Sequence, residues 1–407
     1  MKILLVNKFH FIKGGSERYY FDLAENLKQH GHEVIFFSMQ HEKNMPCAQE
    51  KYFTDFVLTE KKTFNLAGVK SVLKLWWNFD ASKKINQLIQ DEKPDLVHLH
   101  NISHQISPSI LKVIKKYKLP VVMTLHDYKL VCPNGKMFTH GKVCEKCQGQ
   151  KYFNCFKNKC VKNSYLASLA TWLEMTLHHK ILKIYEKNID LLIAPSEFLK
   201  NKMIAWGMPK EKVVHLPYFI NTNFASTTTE TKKENYVLFL GRLSEEKGIG
   251  VLIEAMQELP NIQLKVIGPG LEEQKIKTYL TAHNIKNIEL LGYKTGKDLY
   301  KIISQSQCLI IPSIWYEVTG LVILEAYLNN TPVIGSDIGG IPEVVKDKET
   351  GYLFQTNNSQ ELTEKIKLIF KNYENQEIMA ANGRKLIAEN HDPEKHYQEL
   401  LKIYQSL

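Results

Sequence analysis

Two glutamates in the segment WYEVTGLVILEA, Glu317 and Glu325, are separated by seven mostly apolar residues that include a Thr-Gly step. The Thr-Gly step predicts a turn, and residues 322–326 predict an apolar helix after it. The free amides at the start of such a helix can bind an anion. Burying an unpaired carboxylate is costly, so Glu325 in an apolar helix is expected to serve a polar ligand. The alternative is that Glu325 pairs with a nearby lysine.

Two cations lie in a second segment that could do chemistry, GRLSEEKGI. Arg242 and Lys247 are five residues apart and follow a glycine at the end of a predicted strand. A diphosphate needs both positive charge and close approach of the backbone, which this combination provides. Surface arginines and lysines are common, so the segment indicates a diphosphate site only in combination with others.

The elements that must position these residues alternate between short apolar runs and helical patterns. A strand at 2–7, a loop with Gly14 and Gly15, a helix at 16–30 and a strand at 32–38 open a doubly wound α/β domain. Further apolar runs end in polar residues at 94–100, 120–127 and 190–196.

A second strand–helix series begins after a polar, Thr-rich stretch at 215–237, which predicts a linker. We therefore predict a Rossmann-like domain at 1–215, a second one at 216–390, and a C-terminal helix at 391–407 that packs back toward the first domain. A ligand is expected in the cleft between two such domains.

Charge is unevenly distributed along the chain. The net charge is +10, and the first 200 residues contain 30 lysines and arginines against 18 acids, so they carry all of the excess. This half is expected either to face an anionic partner, such as phosphate or a membrane surface, or simply to have a lysine-rich solvated surface. The first residues are too polar for a signal peptide, and no apolar run is long enough to span a bilayer, so we expect a cytoplasmic protein.

Five of the seven cysteines fall in the segment 131–164, which interrupts the strand–helix rhythm and predicts an insertion. Cys144 and Cys147, followed by Cys155 and Cys160, supply two pairs as a structural zinc site would. The gap between the pairs is shorter than usual, so reduced structural cysteines are the alternative. A nucleic-acid binder built on this cluster is disfavoured, because basic and aromatic residues do not alternate outside it.

Taken together, GRLSEEKG, the E-x7-E pair in EVTGLVILEA and the segment NNTPVIGSDIGGIPEVV resemble the retaining glycosyltransferases of family 4 over nearly the whole chain. The resemblance implies a GT-B fold, with two Rossmann-like domains facing across a cleft, and a nucleoside-diphosphate sugar as the donor. It implies no catalytic cofactor, and no metal at the diphosphate.

The resemblance also implies a role for each matching residue. Arg242, Lys247 and the amides of Gly320 and Leu321 would contact the donor diphosphate, and Glu325 would accept hydrogen bonds from the ribose. Glu317 would lie against the transferred sugar, near the reacting carbon. In the first domain, Gly14 and Gly15 would approach the donor phosphates and the acceptor. His126 would be a catalytic residue that faces the sugar, where a neutral ring could hydrogen-bond a hydroxyl and a protonated ring could stabilise leaving-group charge. Without the resemblance, a capped histidine at a strand end would be the preferred interpretation.

The function implied is transfer of a hexose-type sugar to a cell-envelope, exopolysaccharide or lipid-linked glycan acceptor. The alternative is a disaccharide synthase or nucleotide-sugar epimerase with the same fold that acts on small soluble sugars. A long amphipathic helix predicted at 165–187 either packs in the core or lies on an anionic membrane surface. The second possibility would place the protein peripherally on the cytoplasmic membrane face. Nucleic acid is not an expected partner.

Overall fold

The computed structural model describes residues 1–56, 75–222 and 232–407, so part of the linker predicted at 215–237 lies outside the described residues. The chain divides into two compact units. The first comprises residues 1–137, 144–217 and 396–407, and the second comprises residues 138–143 and 218–395.

A six-stranded parallel sheet forms the centre of the first unit, in the order β2-β1-β3-β4-β7-β8. Its strands are β1 (Lys2–Val6), β2 (Glu33–Phe37), β3 (Leu96–Leu99), β4 (Val121–Thr124), β7 (Leu191–Ala194) and β8 (Val213–His215). Most of their residues are buried, as expected for strands covered by helices on both faces. The direction of strand addition reverses between β1 and β3, which makes their carboxyl ends the expected place for a ligand.

The helices of this unit connect successive strands. They are α1 (Gly15–Gln29), α2 (Phe79–Glu92), α3 (Ser109–Lys116), α4 (Phe153–Lys157), α5 (Tyr165–Met175), α6 (Ile184–Asn188) and α7 (Glu197–Ala205). A two-stranded antiparallel hairpin, β5 (Phe138–Thr139) and β6 (Lys142–Val143), lies within the cysteine-containing segment and is grouped with the second unit.

The single long helix predicted at 165–187 is wrong in one respect. After α5 the backbone forms a π-helix at Thr176–Ile181, and Lys183 then adopts a left-handed conformation with φ of 48° before α6 begins. A non-glycine residue in that region ends a regular helix, because its Cβ crowds the backbone. The segment is therefore two helices joined by a wider turn.

The second unit is built on another six-stranded parallel sheet, in the order β11-β10-β9-β12-β13-β14. Its strands are β9 (Tyr236–Leu240), β10 (Gln263–Ile267), β11 (Ile288–Gly292), β12 (Leu309–Ile311), β13 (Val333–Ser336) and β14 (Gly351–Phe354). The strand order reverses between β9 and β12, the arrangement that opens a ligand crevice at their carboxyl ends. Two parallel sheets of this kind confirm the predicted α/β fold class.

Apolar side chains cover both faces of this second sheet. The helices that supply them are α8 (Ile249–Gln257), α9 (Glu273–Ala282), α10 (Gly296–Gln305), α11 (Leu321–Leu328), α12 (Ile341–Val344), α13 (Ser359–Lys371) and α14 (Tyr373–Asn390). The last helix, α15 (Pro393–Gln405), contributes its residues from 396 onward to the first unit. Within the described ranges, no helix combines the length and the apolar character needed to cross a bilayer.

Candidate active site

The glutamate and the cations singled out in the sequence lie at the reversal point of the second sheet. Arg242 and Lys247 follow β9, and Glu317 lies in the loop after β12. Because β9 and β12 are neighbours in a parallel sheet, their carboxyl ends open on the same edge. Residues 70 positions apart are thereby brought into direct contact.

Glu317 is buried and is held by three donors on a single carboxylate oxygen. Its Oε1 accepts hydrogen bonds from Lys247 Nζ at 2.5 Å, from Ser313 Oγ at 2.7 Å and from Trp315 Nε1 at 2.9 Å. The ammonium group of Lys247 also lies 5.4 Å from the centre of the Trp315 ring. These contacts fix the orientation of the carboxylate.

The carboxyl group of Glu317 is ionised despite its burial. Desolvation raises the pKa of a buried acid, but the charge of Lys247 and the hydrogen bonds from Lys247, Ser313 and Trp315 outweigh it. The pKa of Glu317 is consequently lowered from its ordinary value of 4.5. The site therefore holds a fixed negative charge next to a cation at neutral pH.

Two consecutive glycines hold the backbone of Glu317. Gly339 has φ of +63°, and a Cβ at that position would lie 2.5 Å from the backbone N and O of Glu317. The amide of Gly340 donates to the Glu317 carbonyl at 2.8 Å. Only glycine allows this close approach, since any side chain would push the acid-bearing loop away.

The Lys247 loop is held against the same strand end. Gly248 has φ of +69°, and a Cβ there would lie 1.7 Å from the carbonyl oxygen of Pro312. The amide of Ile314 donates to the Glu246 carbonyl at 3.0 Å. The turn that carries the lysine and the loop that carries the glutamate are thus packed backbone to backbone.

The remaining predicted donor-binding groups of the second unit differ in exposure and in the elements that carry them. Arg242 is exposed at the end of β9. Helix α11 begins at Leu321 with Gly320 as its N-cap, and no side chain caps it. A helix start without a side-chain cap leaves backbone amides available to an anion. Glu325 lies half-buried one turn into the same helix.

In the first unit, Gly14 and Gly15 lie at the start of α1. Gly14 is the N-cap and is extended, with no side-chain hydrogen bond to the helix, and both glycines are exposed. The loop from β1 therefore brings the start of α1, where the buried Glu17 carboxylate accepts from its own amide, to the reversal point of the first sheet.

His126 follows β4 and belongs to a stack of three histidines with His98, which lies in β3, and His100, which follows β3. His100 Nδ1 and His126 Nε2 share a hydrogen bond of 2.9 Å, and their rings stack at 5.2 Å. His98 stacks on His100 at 4.7 Å and bonds to Thr124 and Tyr404. Burial, with Lys8 nearby, lowers the pKa of His126 to about 3, so the ring is neutral.

The cysteine cluster gives no support to the predicted zinc site. Across residues 1–56, 75–222 and 232–407, no group of three or more histidine, cysteine or acidic side chains has an arrangement that could hold a metal ion. The pKa of the Cys147 thiol is raised by burial, and that of Cys155 by a hydrogen bond with Cys160 and by burial. Cys144 and Cys160 are only partly buried.

Sequence reasoning missed four residues that shape the site. Ser313 and Trp315 orient Glu317, and Gly339 and Gly340 hold its backbone. The signal for the glycines was present in the segment SDIGGIPEVV. No sequence motif marks Ser313 and Trp315, which precede Glu317 by four and two residues. Their role depends on how the loop folds, so the sequence could not predict it.

Comparisons with known proteins match both units. The protein-family model described as Glycosyltransferase Family 4 matches residues 13–224, which is more than half of the chain. The family model described as Glycosyl transferases group 1 matches residues 221–386. A protein in the cps region of Klebsiella pneumoniae is 27% identical over 84% of this chain and 87% of its own length. A phosphatidyl-myo-inositol mannosyltransferase of Mycobacterium leprae is 21% identical, over 100% of this chain and 97% of that protein.

Among solved structures, Anabaena HepE in complex with UDP and glucose superposes with a TM-score of 0.71 at 18% identity, over the full length of both chains. An identity this low shows the shared fold, which is the GT-B fold expected from the motifs. The match to the family model over more than half of the sequence shows the family itself. The chain belongs to glycosyltransferase family 4.

Proposed function

We propose that the chain is a retaining glycosyltransferase that moves a hexose-type sugar from a nucleoside-diphosphate sugar to a cell-envelope, exopolysaccharide or lipid-linked glycan acceptor. One observation carries this proposal: the Lys247–Glu317 pair at the reversal point of the second sheet, beside the uncapped start of α11. That arrangement combines an anion site with a fixed carboxylate, the two features that a sugar diphosphate requires.

The leaving diphosphate is bound by Arg242, Lys247 and the amides of Gly320 and Leu321. Breaking the sugar–phosphate bond develops negative charge on the diphosphate, and prearranged donors stabilise it as it forms. Lys247 has three N–H donors, so it can keep its bond to Glu317 and still reach a phosphate oxygen. We propose that these groups bind the diphosphate without a metal ion. Glu325 accepts hydrogen bonds from the ribose.

Glu317 acts on the transferred sugar as a hydrogen-bond acceptor. Three donors on Oε1 lower the basicity of the carboxylate and hold it in place. A carboxylate in that state suits orientation of a sugar hydroxyl, and stabilisation of positive charge on the sugar, better than covalent attack. Retention then results from attack by the acceptor on the face from which the diphosphate leaves.

The first unit binds the acceptor in this proposal. Gly14 and Gly15, at the start of α1, approach the donor phosphates and the acceptor, and the neutral ring of His126 faces the sugar. A relative named phosphatidyl-myo-inositol mannosyltransferase supports a lipid acceptor, and one from a cps region is compatible with a polysaccharide. A lipid-linked acceptor would bring the cytoplasmic enzyme to an anionic membrane surface.

Thermal-shift measurements against a panel of nucleoside diphosphates and nucleotide sugars test donor binding. A ligand that binds only the native state stabilises it by RT ln(1 + [L]/Kd), so at a fixed concentration a tighter ligand raises the melting temperature more. We expect one donor to stabilise the wild type, in the presence of EDTA as well, and Arg242→Ala to reduce that shift. The matched control is Arg384→Ala, an exposed arginine of the same unit.

Two results would count against the proposal. If no ligand of the panel shifts the melting temperature, the chain does not bind a nucleotide-sugar donor. If Arg242→Ala shows the same shift as the wild type, Arg242 does not bind the diphosphate. The acceptor is tested separately, by measuring release of the nucleoside diphosphate with and without a glycan or lipid-linked primer. Full turnover with a small soluble sugar would favour the disaccharide synthase alternative.

A further inference from the structure

Helix α5 has its polar and apolar faces reversed relative to an ordinary surface helix. The side chains buried along it include Ser168, Thr171 and Glu174, which are polar or charged. Leu166 and Leu173 are exposed, with 58% and 42% of their surfaces accessible. Surface helices normally bury their apolar stripe and expose the polar one. An apolar outer face therefore needs a partner of its own.

The polar inner face is held in place by buried contacts. Glu174 accepts from Lys129 Nζ at 3.2 Å, and His104 Nδ1 lies 3.3 Å from its other oxygen. Although burial opposes ionisation, Lys129 and His104 lower the pKa of Glu174, so the carboxylate is charged. The hydroxyl of Ser168 accepts from the amide of Val161 at 3.0 Å. Rolling the leucines inward would leave a buried ion pair unsatisfied, so the helix is fixed with its apolar face outward.

The apolar face continues beyond α5 in both directions. Ile181, in the π-helix, is 67% exposed, and Phe153 and Tyr165 are about half exposed. The rings of Phe156 and Trp172 stack at 5.9 Å beside them. We call this set of exposed apolar and aromatic side chains between 153 and 181 the apolar face. A patch with both aliphatic and aromatic side chains is typical of surfaces that enter the membrane interface.

The segment that carries the apolar face is rich in lysines, which we call its lysine border, and Lys159 Nζ lies 4.3 Å from the centre of the Tyr165 ring. Residues 153–187 contain the lysines at positions 157, 159, 162, 180, 183 and 187. The two acids of this stretch are already engaged, Glu174 with Lys129 and Glu186 with His179 Nδ1 at 2.7 Å. The border is consequently cationic, which complements an anionic surface and repels a second copy of itself.

We propose that the apolar face and its lysine border dock on the surface of an anionic lipid bilayer, with the leucines and aromatic rings entering the interface. Combining a modest apolar insertion with a polybasic border is what makes peripheral binding stable. The inference deepens the membrane contact in the proposed function by assigning the surface that makes it. It requires neither a donor nor turnover, so it can fail or hold independently of them.

Flotation of the full chain with vesicles tests the assignment. We expect the wild-type protein to bind vesicles made of about one third phosphatidylglycerol and two thirds phosphatidylcholine. It should not bind vesicles of phosphatidylcholine alone. Leu166→Glu with Leu173→Glu should lower binding by about tenfold or more. Lys180→Gln with Lys183→Gln should also lower it several-fold and weaken its dependence on salt.

Matched variants in the second unit are the controls. Leu271→Glu changes a leucine that is 97% exposed, and Lys297→Gln with Lys301→Gln removes two exposed lysines. All should bind as the wild type does, with thermal melting checking that every variant folds. The proposed membrane-docking role of the apolar face is overturned if the wild-type protein does not bind anionic vesicles. It is also overturned if the apolar-face variants bind as well as the controls. It is also overturned if light scattering shows a dimer that the leucine substitutions abolish, since the occupant would then be a second copy.

Discussion

Glu317 is the residue on which the chemistry depends most, and its environment separates it from Glu325. Glu317 is buried with three donors on one oxygen, whereas Glu325 is half-buried on the helix that follows. A fixed charge near the reacting carbon affects the transition state more than the ground state. A residue that binds the ribose, as proposed for Glu325, stabilises the ground state and the transition state about equally.

The two isosteric substitutions should therefore affect different kinetic constants. Glu317→Gln is expected to lower kcat by about a hundredfold or more, because it removes a charge that stabilises the transition state. Glu325→Gln should raise the KM for the donor by about tenfold while leaving kcat within a few-fold. Steady-state release of the nucleoside diphosphate measures both. Equal loss of kcat in the two variants would contradict the division of roles.

Glu317 should also leave a signature in acid stability. Its native pKa lies below the ordinary value of 4.5, so its ionisation stabilises the folded state fully above that pH. The stabilisation is lost as the pH falls from 4.5 through the lowered native pKa. Urea unfolding of wild type and Glu317→Gln should show a stability difference that shrinks over this range. A difference independent of pH would mean that the carboxylate is not held ionised by Lys247.

At the scale of elements, the site consists of three loops packed backbone to backbone. The loop after β12 carries Glu317, the turn before α8 carries Lys247, and the Gly339–Gly340 step holds the first of them. Because the contacts are between main chains, they depend on glycines rather than on particular side chains.

Gly339→Ala should displace the Glu317 loop. A Cβ at this position would lie 2.5 Å from the Glu317 backbone, and φ is +63°, so both a clash and a strained backbone are expected. The control is Gly292→Ala, which has a similar φ of +68° and open space around the new Cβ. Backbone strain alone costs about 1–2 kcal/mol. The additional loss of unfolding free energy in Gly339→Ala over Gly292→Ala, measured by urea unfolding, is therefore the cost of the clash. Activity should fall only in Gly339→Ala, and equal effects would contradict the clash.

At the scale of the whole molecule, the end of the chain completes the first unit. Residues 396–407 belong to that unit, and Tyr404 OH shares a hydrogen bond of 2.6 Å with His98 Nδ1, 306 positions away. Tyr19 OH and His396 Nε2 are 3.0 Å apart, and Tyr397 stacks on His30 at 3.6 Å. These contacts connect the last helix to β3, to α1 and to the residue that follows α1.

Tyr404→Phe should destabilise the protein by about 1–3 kcal/mol, because it leaves a buried ring nitrogen of His98 without its partner. Tyr293→Phe, at a tyrosine that is 65% exposed, should change the free energy of unfolding by less than about 0.5 kcal/mol. Chemical denaturation measures both. If the two variants unfold alike, the contact between the last helix and β3 contributes little.

Much of the fold could be predicted from the sequence, because strand patterns are local. The apolar runs that end at Asn7, His100 and Ser313 predicted β1, β3 and β12, and the motifs that follow such strands predicted the family. The strands β8 and β14 and the hairpin of β5 and β6 were not predicted. The two hairpin strands have only two residues each, too few to show a period. The break at Lys183 was missed for a similar reason, since no proline or glycine marks it.

The sequence by itself determined the fold class, the family and the residue types at the site, since all three depend on spacing along the chain. Only the tertiary structure decided that Lys247, Ser313 and Trp315 meet on one oxygen of Glu317, because hydrogen bonds across a sheet edge leave no sequence period. It also decided which face of α5 points outward. The amphipathic pattern was visible in the sequence, but its direction depends on Lys129 and His104, which reach Glu174 from elsewhere in the unit and make its polar face the inner one.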